Sequence, residues 1–225
     1  MKVKKLLCFC FLLFFSVLFS NVIKADEAKK IKNNYKNFGI IISGPSGVGK
    51  TTIIEGLQKI QNKTLNVSIS ATTRQKRVGE INGKHYYFID KAKFQELAKK
   101  DEFIEYAENY GNYYGSPKRN YIESMKQNKD IIFALSPDGM KNAKKQKNMD
   151  FVSIFIAPPS EDALYKRLSE RKTETEQQVK RRFENARNEL KRAKEYDYVV
   201  YNVELENAIK QVEAIYLAEQ KKREF

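Results

Sequence analysis

Phe38 to Thr52 reads F-G-I-I-I-S-G-P-S-G-V-G-K-T-T, and the order of its parts decides the fold. An apolar run, Ile40 to Ile42, enters a glycine-rich turn and leaves it at Lys50-Thr51-Thr52 into a helical pattern. The turn, Gly44-Pro45-Ser46-Gly47-Val48-Gly49-Lys50-Thr51, matches G-x-x-x-x-G-K-[ST] at every fixed position. Glycines at 44, 47 and 49 let backbone N–H groups turn inward around phosphate oxygens, where a Cβ would obstruct the turn. The following helix aims its unsatisfied N–H groups and positive dipole end at the same anion. Lys50 is expected to reach the β- and γ-phosphates, and Thr51 to ligate Mg²⁺. An ordinary glycine-rich strand-to-helix turn is the bland alternative. A strand before and a helix after are the context the motif demands, so the loop is read as nucleotide-binding.

Before this stretch, the chain changes character. Lys2, Lys4 and Lys5 precede Leu6 to Phe19, which holds no charge, and acids start only at Asp26. A basic start, a short apolar run and a small residue, Ala25, describe a secretory signal peptide over residues 1–25. The run is shorter than the roughly 20 residues of a membrane-spanning helix, and an uncleaved membrane anchor stays open beside the signal peptide. Entry to the secretory route, with an organelle beyond it as a further destination, is the expected localisation, with a mature end near Asp26; a membrane-anchored or cytoplasmic protein is the alternative, and an intact Met1 on protein from the soluble cytosol would exclude the signal peptide. Residues 26–37, polar and rich in Lys and Asn, read as a linker.

The 225 residues carry a net charge of +14, which falls to +10 without the leader's four lysines. That balance favours anionic partners, nucleotides included. Lysines scattered among glutamates, with no basic tract, argue against nucleic acid. Both cysteines, Cys8 and Cys10, lie in the leader, and His85 is the sole histidine. Disulfides, cysteine metal sites and histidine-based triads in the body are thereby excluded.

Downstream, Thr51 to Ile60 has helical spacing, and Val67 with Ile69 reads as a short second strand. Turn signals at Val78-Gly79 and Asn82-Gly83 precede an aromatic strand, Tyr86 to Ile89, and then a short helix with Phe94 and Leu97. Phe103 to Tyr106 reads as a strand, and Asn109 to Ser116 as a tyrosine-rich turn. Residues 72–120 therefore read as an insertion with its own small sheet. Ile131 to Leu135 is a buried-type strand ended by Ser136-Pro137-Asp138-Gly139, and Phe151 to Ala157 is another. Ser160 is read as an N-cap, and Thr175 with Gln178 as a capping box. Tyr198 to Tyr201 is the last strand, before a lysine-rich amphipathic helix. Strands alternating with helices give an α/β fold with a parallel sheet and the loop at its carboxyl edge.

From Phe38 to about Ile209 the sequence resembles the guanylate kinase family, enzymes that transfer the ATP γ-phosphoryl group to GMP. Four motifs carry the resemblance: G-P-S-G-V-G-K-T; S-x-T-T-R-x-x-R-x-G-E-x-x-G-x-x-Y from Ser70; F-I-E-x-A-x-x-x-G-N-Y-Y-G from Phe103; and R-x-x-x-R-x-T-E-T-E from Arg167. It implies a P-loop nucleoside monophosphate kinase fold over 38–209: a parallel core, a mixed-sheet GMP-binding insertion over 72–120, and a helical lid over 167–182. Residues 210–225 then close the C-terminal helix. The cofactors implied are ATP, on residues 44–52, and Mg²⁺, on Thr51.

By the same resemblance, Arg74 and Arg77 offer guanidinium forks to the GMP phosphate, and Tyr86 and Tyr114 add hydroxyls. An R-x-x-R pair alone is usually a solvated face. Glu105 matches the guanine-reading glutamate, since a carboxylate suits the N1–H and N2–H₂ donors; its bland reading is a solvent-facing strand carboxylate. Ser70 and Ser116 match base contacts, and Asn202 takes the adenine-side place. Lys50, Arg167, Arg171 and Arg182 are the expected catalytic cations, because phosphoryl transfer needs positive charge and water exclusion. Tyr110, Tyr113 and Tyr121 read as packing residues of the small sheet, and His85 as a surface turn residue.

The chain departs from the family where D-I-D-x-Q-G is expected. Ala134 and Ser136 replace both aspartates, Asp138 comes two positions late, and Lys172 replaces a glycine. Two functions are therefore weighed: a GMP kinase with a modified metal corner, and a guanylate-kinase-like binding domain. Monomer and homodimer both remain open, and a membrane partner is expected only if the leader stays uncleaved.

Overall fold

A computed structural model describes residues 35–109, 111–170 and 175–224. The leader, most of the linker, Tyr110, Arg171 and Lys172 lie outside the described residues. Among the described residues no helix is long and apolar enough to cross a membrane.

The core is a five-stranded parallel sheet in the order β2-β7-β1-β8-β9, with β1 at Gly39–Ser43, β2 at Leu65–Val67, β7 at Asp130–Ala134, β8 at Phe151–Ala157 and β9 at Tyr198–Tyr201. β1 and β8 are buried along their whole length. Apolar runs without alternation are what a strand covered on both faces requires. One face packs Ile53 and Leu57 of α1, Lys50–Ile60, against Ala208, Val212 and Tyr216 of α7, Leu205–Lys221. The other packs Tyr121 of α3, Lys118–Lys126, and Met140 of α4, Pro137–Lys144, on Phe133, Phe151 and Phe155.

A second, mixed sheet has the order β4-β3-β6-β5: β3 Ala71–Thr72, β4 Tyr87–Phe88, β5 Phe103–Asn109 and β6 Asn112–Pro117. Helix α2, Lys91–Lys99, covers it through Phe94, which stacks on Phe103 and Tyr113. α5, Glu161–Ser169, and α6, Glu176–Leu190, pack on each other through Leu164, Leu168, Val179 and Ala186. Ser160 caps α5, and Thr175 with Gln178 forms the capping box of α6, as their sequence signals require.

Four expectations are corrected. The second strand stops at Val67, and Ser68 to Ser70 connect the two sheets. Asn109 to Ser116 is mostly strand: β5 and β6 pair antiparallel, with Gly111 at φ +75° in the turn between them. Tyr113 and Tyr114 point to opposite faces of that strand, and both faces have aromatic partners, Phe94 and Tyr86. Ser136-Pro137-Asp138 begins a helix as well as ending a strand. Ser136 Oγ accepts from Gly139 N at 3.0 Å, and Pro137 occupies the first turn, where its missing N–H costs nothing. Tyr121 packs in the main core, 5.2 Å from the Phe151 ring, and its hydroxyl accepts from Asp150 N. His85 does sit exposed in a turn, its Nδ1 accepting from Ile81 N at 2.9 Å.

At the amino edge of the sheet, Asp130 is fully buried. Its Oδ1 accepts from Phe38 N at 2.9 Å and Asn37 Nδ2 at 3.1 Å. Its Oδ2 accepts from Tyr35 at 2.7 Å, Tyr216 at 2.8 Å and Gln220 at 3.0 Å. Tyr35 and Asn37, at the end of the segment read as a linker, are thereby tied to β7 and α7.

Candidate active site

β1 ends in the phosphate-loop sequence. Gly44 has φ +139°, and a Cβ there would lie 2.2 Å from the Ile156 carbonyl oxygen. Only glycine fits so close a passage beside β8. Gly49, at φ +95°, occupies the N-cap of α1 without a side-chain cap, leaving first-turn N–H groups for an anion. Lys50 Nζ crosses the loop, donating to Gly44 O at 2.5 Å and Pro45 O at 3.0 Å. Burial pushes its ammonium pKa down, and the Glu189 carboxylate opposes that shift.

Two distant residues, Asn202 and Arg182, bond the loop, and Arg167 bonds Asn202. Asn202 is buried at the end of β9, and its Nδ2 donates to Val48 O at 2.8 Å. Its Oδ1 is buried without a partner, so this amide supports the loop and keeps one acceptor to spare. Arg167 Nη2 donates to Asn202 O at 3.2 Å, and Arg182 Nη2 to Ser46 Oγ at 2.5 Å. The structure thus gathers Lys50, Arg167 and Arg182 at one loop, while Arg171 falls outside the described residues. Thr51 and Thr52 are exposed at the start of α1.

Glycines with positive φ, an uncapped helix start and three cations fit a polyphosphate. Among the described residues no group of three acids, histidines or cysteines is placed to hold a metal. Such a donor set fits Mg²⁺ held by phosphates, one hydroxyl and water better than an all-protein cage. Ala134, paired with Ile42 at the end of β7, is exposed and uncharged, and Ser136 serves as a helix cap. Asp138 pairs with Arg192 at 2.8 Å, so it replaces neither aspartate.

The second sheet carries the other half. Arg74 meets Glu80 through two bonds, Nη2–Oε1 at 2.7 Å and Nη1–Oε2 at 3.0 Å. Its guanidinium lies 5.6 Å from the Tyr86 ring centre, and the Tyr86 and Tyr114 rings meet edge-on at 6.2 Å. Arg77 is exposed on the same turn. Ser70 gives its carbonyl to Tyr87 N at 2.9 Å.

Glu105 is paired in register with Ser116, which is buried. It lies against the first turn of α4: a Cβ on Gly139 would come within 2.8 Å of its carboxyl group. Burial pushes the Glu105 pKa up to about 7, with Asp138 adding to the rise and the Ser116 hydroxyl opposing it. The reading of Glu105 as a solvent-facing strand carboxylate does not hold.

Sequence reasoning missed three features. Glu80 stood in a quoted motif without a role. Asn202 was expected on the adenine side, and the bond from its amide to the loop at Val48 was not foreseen. Glu189, whose pKa burial raises against the pull of Lys50, comes seven residues after Arg182. That spacing places both on one face of α6, which is the signal that would have found it.

The guanylate kinase family model matches residues 36–219. A guanylate kinase of Rickettsia felis is 45% identical over 193 residues, covering 85% of this chain and 98% of the relative. One from Carboxydothermus hydrogenoformans is 43% identical over 188 residues, covering 84% and 91%. The crystal structure of guanylate kinase from Anaplasma phagocytophilum superimposes with a TM-score of 0.65 at 30% identity, covering 83% of this chain and 87% of that one. With a loop built for phosphate, a buried carboxyl on a second sheet and these relatives over most of its length, the chain belongs to the guanylate kinase family.

Proposed function

We propose that this protein transfers the γ-phosphoryl group of ATP to GMP, giving ADP and GDP. The observation that carries this reading is Glu105, a desolvated carboxyl beside Ser116 on the insertion sheet. Guanine presents N1–H and N2–H₂ side by side, and an ionised carboxylate accepts from both. Arg74, Arg77, Tyr86 and Tyr114 receive the GMP phosphate, with Ser70 and Ser116 near the base. The loop 44–52 holds the ATP phosphates, with Asn202 bracing it. Lys50, Arg167, Arg171 and Arg182 place positive charge around the transferring group, where charge is spread over equatorial oxygens. Mg²⁺, with Thr51 as its protein ligand, supplies further neutralisation of the phosphate charge.

ADP formation measured with GMP, AMP, CMP and UMP tests the reading. Turnover with GMP alone is expected, and equal rates with AMP would remove the assignment. A pH dependence accompanies it. Below about pH 7 the raised Glu105 carboxyl takes up a proton and loses its acceptor role for guanine. GMP binds the deprotonated form, so binding weakens as pH falls. KM for GMP should rise about tenfold from pH 8 to pH 6 while KM for ATP stays level. Part of any slope belongs to the GMP phosphate, whose second pKa lies near 6. Glu105→Gln isolates the remainder: the slope should shrink in that variant, and an unchanged slope would clear Glu105 of the role.

A further inference from the structure

Arg74 presents two flat edges to a partner, the Nη1/Nη2 end and the Nε/Nη2 side, each with a pair of N–H donors. Glu80 occupies the end. The second Nη1 hydrogen goes to the Gln75 carbonyl at 2.7 Å. Nε–H and the outer Nη2 hydrogen are the donors that Glu80 and Gln75 do not occupy, and the Tyr114 hydroxyl, itself assigned to the phosphate, bonds the same guanidinium. Glu80 Oε2 also accepts from Arg77 N at 2.7 Å, so one carboxylate ties both arginines of the turn together. The ion pair is shielded, with side chains only 14% and 19% exposed.

A carboxylate in this place has two opposite effects on an incoming phosphate. Its charge repels a dianion, which would make its removal tighten binding. As a strut it fixes a long, flexible side chain in advance, which would make its removal weaken binding. The two-point pairing at the far end of the guanidinium, with a third bond into the turn, is the geometry of a strut.

We propose that Glu80 is a positioning residue for the acceptor nucleotide's phosphate, holding Arg74 by its Nη1/Nη2 end so that the Nε/Nη2 edge meets the phosphate. This rests on the GMP site proposed above. The Arg74 guanidinium and the Arg77 N–H hold the Glu80 carboxyl down to about 2, so the strut stays ionised at every working pH.

The sign of one mutation decides the matter. Glu80→Gln keeps an oxygen for the Arg77 N–H, so the turn is retained, but it breaks the ion pair to Arg74. Calorimetry on the full chain should show GMP binding weakened about tenfold or more, although a negative charge has been removed. Affinities for ATP and for guanosine, which lacks the phosphate, should not change. In an Arg74→Ala background the same substitution should cause no further loss, because its partner is already gone. Tighter GMP binding by Glu80→Gln, an equal loss for guanosine, or an equal loss in both backgrounds would overturn the strut. A wild type that binds GMP with Glu80→Gln neutral overturns this inference alone. A wild type that binds no GMP overturns the proposed function and the strut with it.

Discussion

Replacing Asp130 with alanine is expected to lower the stability of the domain by about 3–5 kcal/mol, toward the upper end for a single substitution, as when a buried hydrogen-bond network is broken. Five donors converge on its two oxygens from residues 35, 37, 38, 216 and 220. Alanine leaves the Phe38 amide buried without an acceptor, which costs about 1–3 kcal/mol, and takes from the Tyr216 hydroxyl its 2.8 Å partner, leaving it only Thr64 Oγ1 at 3.3 Å. Burial and the Asp130 charge push both tyrosine hydroxyls' pKa values up, so these remain donors at any ordinary pH. A loss of this size in a domain of this length should lower Tm by roughly 10 °C. Urea unfolding with unchanged m is the direct measurement. Asp130 opens β7 at the amino edge, whereas the phosphate loop lies at the carboxyl edge. KM for GMP and for ATP should therefore stay near wild type at a temperature where the variant is folded. An unfolding free energy within about 0.5 kcal/mol of wild type, on the scale of an ordinary surface change, would show that the network contributes little.

Lys50→Ala is expected to lower kcat by about 10²–10³-fold, the loss typical of one preorganised electrostatic contact in a shielded site. Its ammonium has two carbonyl partners on the loop and the Glu189 carboxylate in electrostatic range. On the proposed function, nucleotide phosphates are expected to replace those carbonyls at little cost, because the cation is already desolvated and aimed. Charge develops on the transferred group chiefly in the transition state, so the loss should fall on kcat more than on either KM. Single-turnover measurement of ADP release separates this from slow product release. A variant with wild-type kcat would remove Lys50 from the reaction. A rise in both KM values with kcat intact would reassign it to holding the loop.

The parts of the molecule that follow local rules were legible in the residues. The loop is one, because a glycine-rich turn between an apolar run and a helix has few backbone solutions. The strands Phe151–Ala157 and Tyr198–Tyr201 and the caps at Ser160 and Thr175 are others, each set by neighbours within a few positions. Ser136 was local too. Ser-Pro-Asp is a helix start as well as a strand stop, and the proline drew the reading to the second meaning.

What the sequence by itself determined is therefore the parallel α/β core, the phosphate loop and the inventory of arginines, tyrosines and one glutamate on an inserted sheet. Tertiary structure alone decided what several of those residues touch. Asn202 reaches Val48 across 154 positions, and Asp130 gathers partners up to 95 positions away. Glu105 owes its raised pKa to burial against a helix turn whose glycine lies 34 residues downstream in the chain. Helical and strand spacing report the face on which a residue stands, because backbone geometry is periodic. They carry no information about which distant atom will face it, and desolvation and hydrogen bonding depend on that atom.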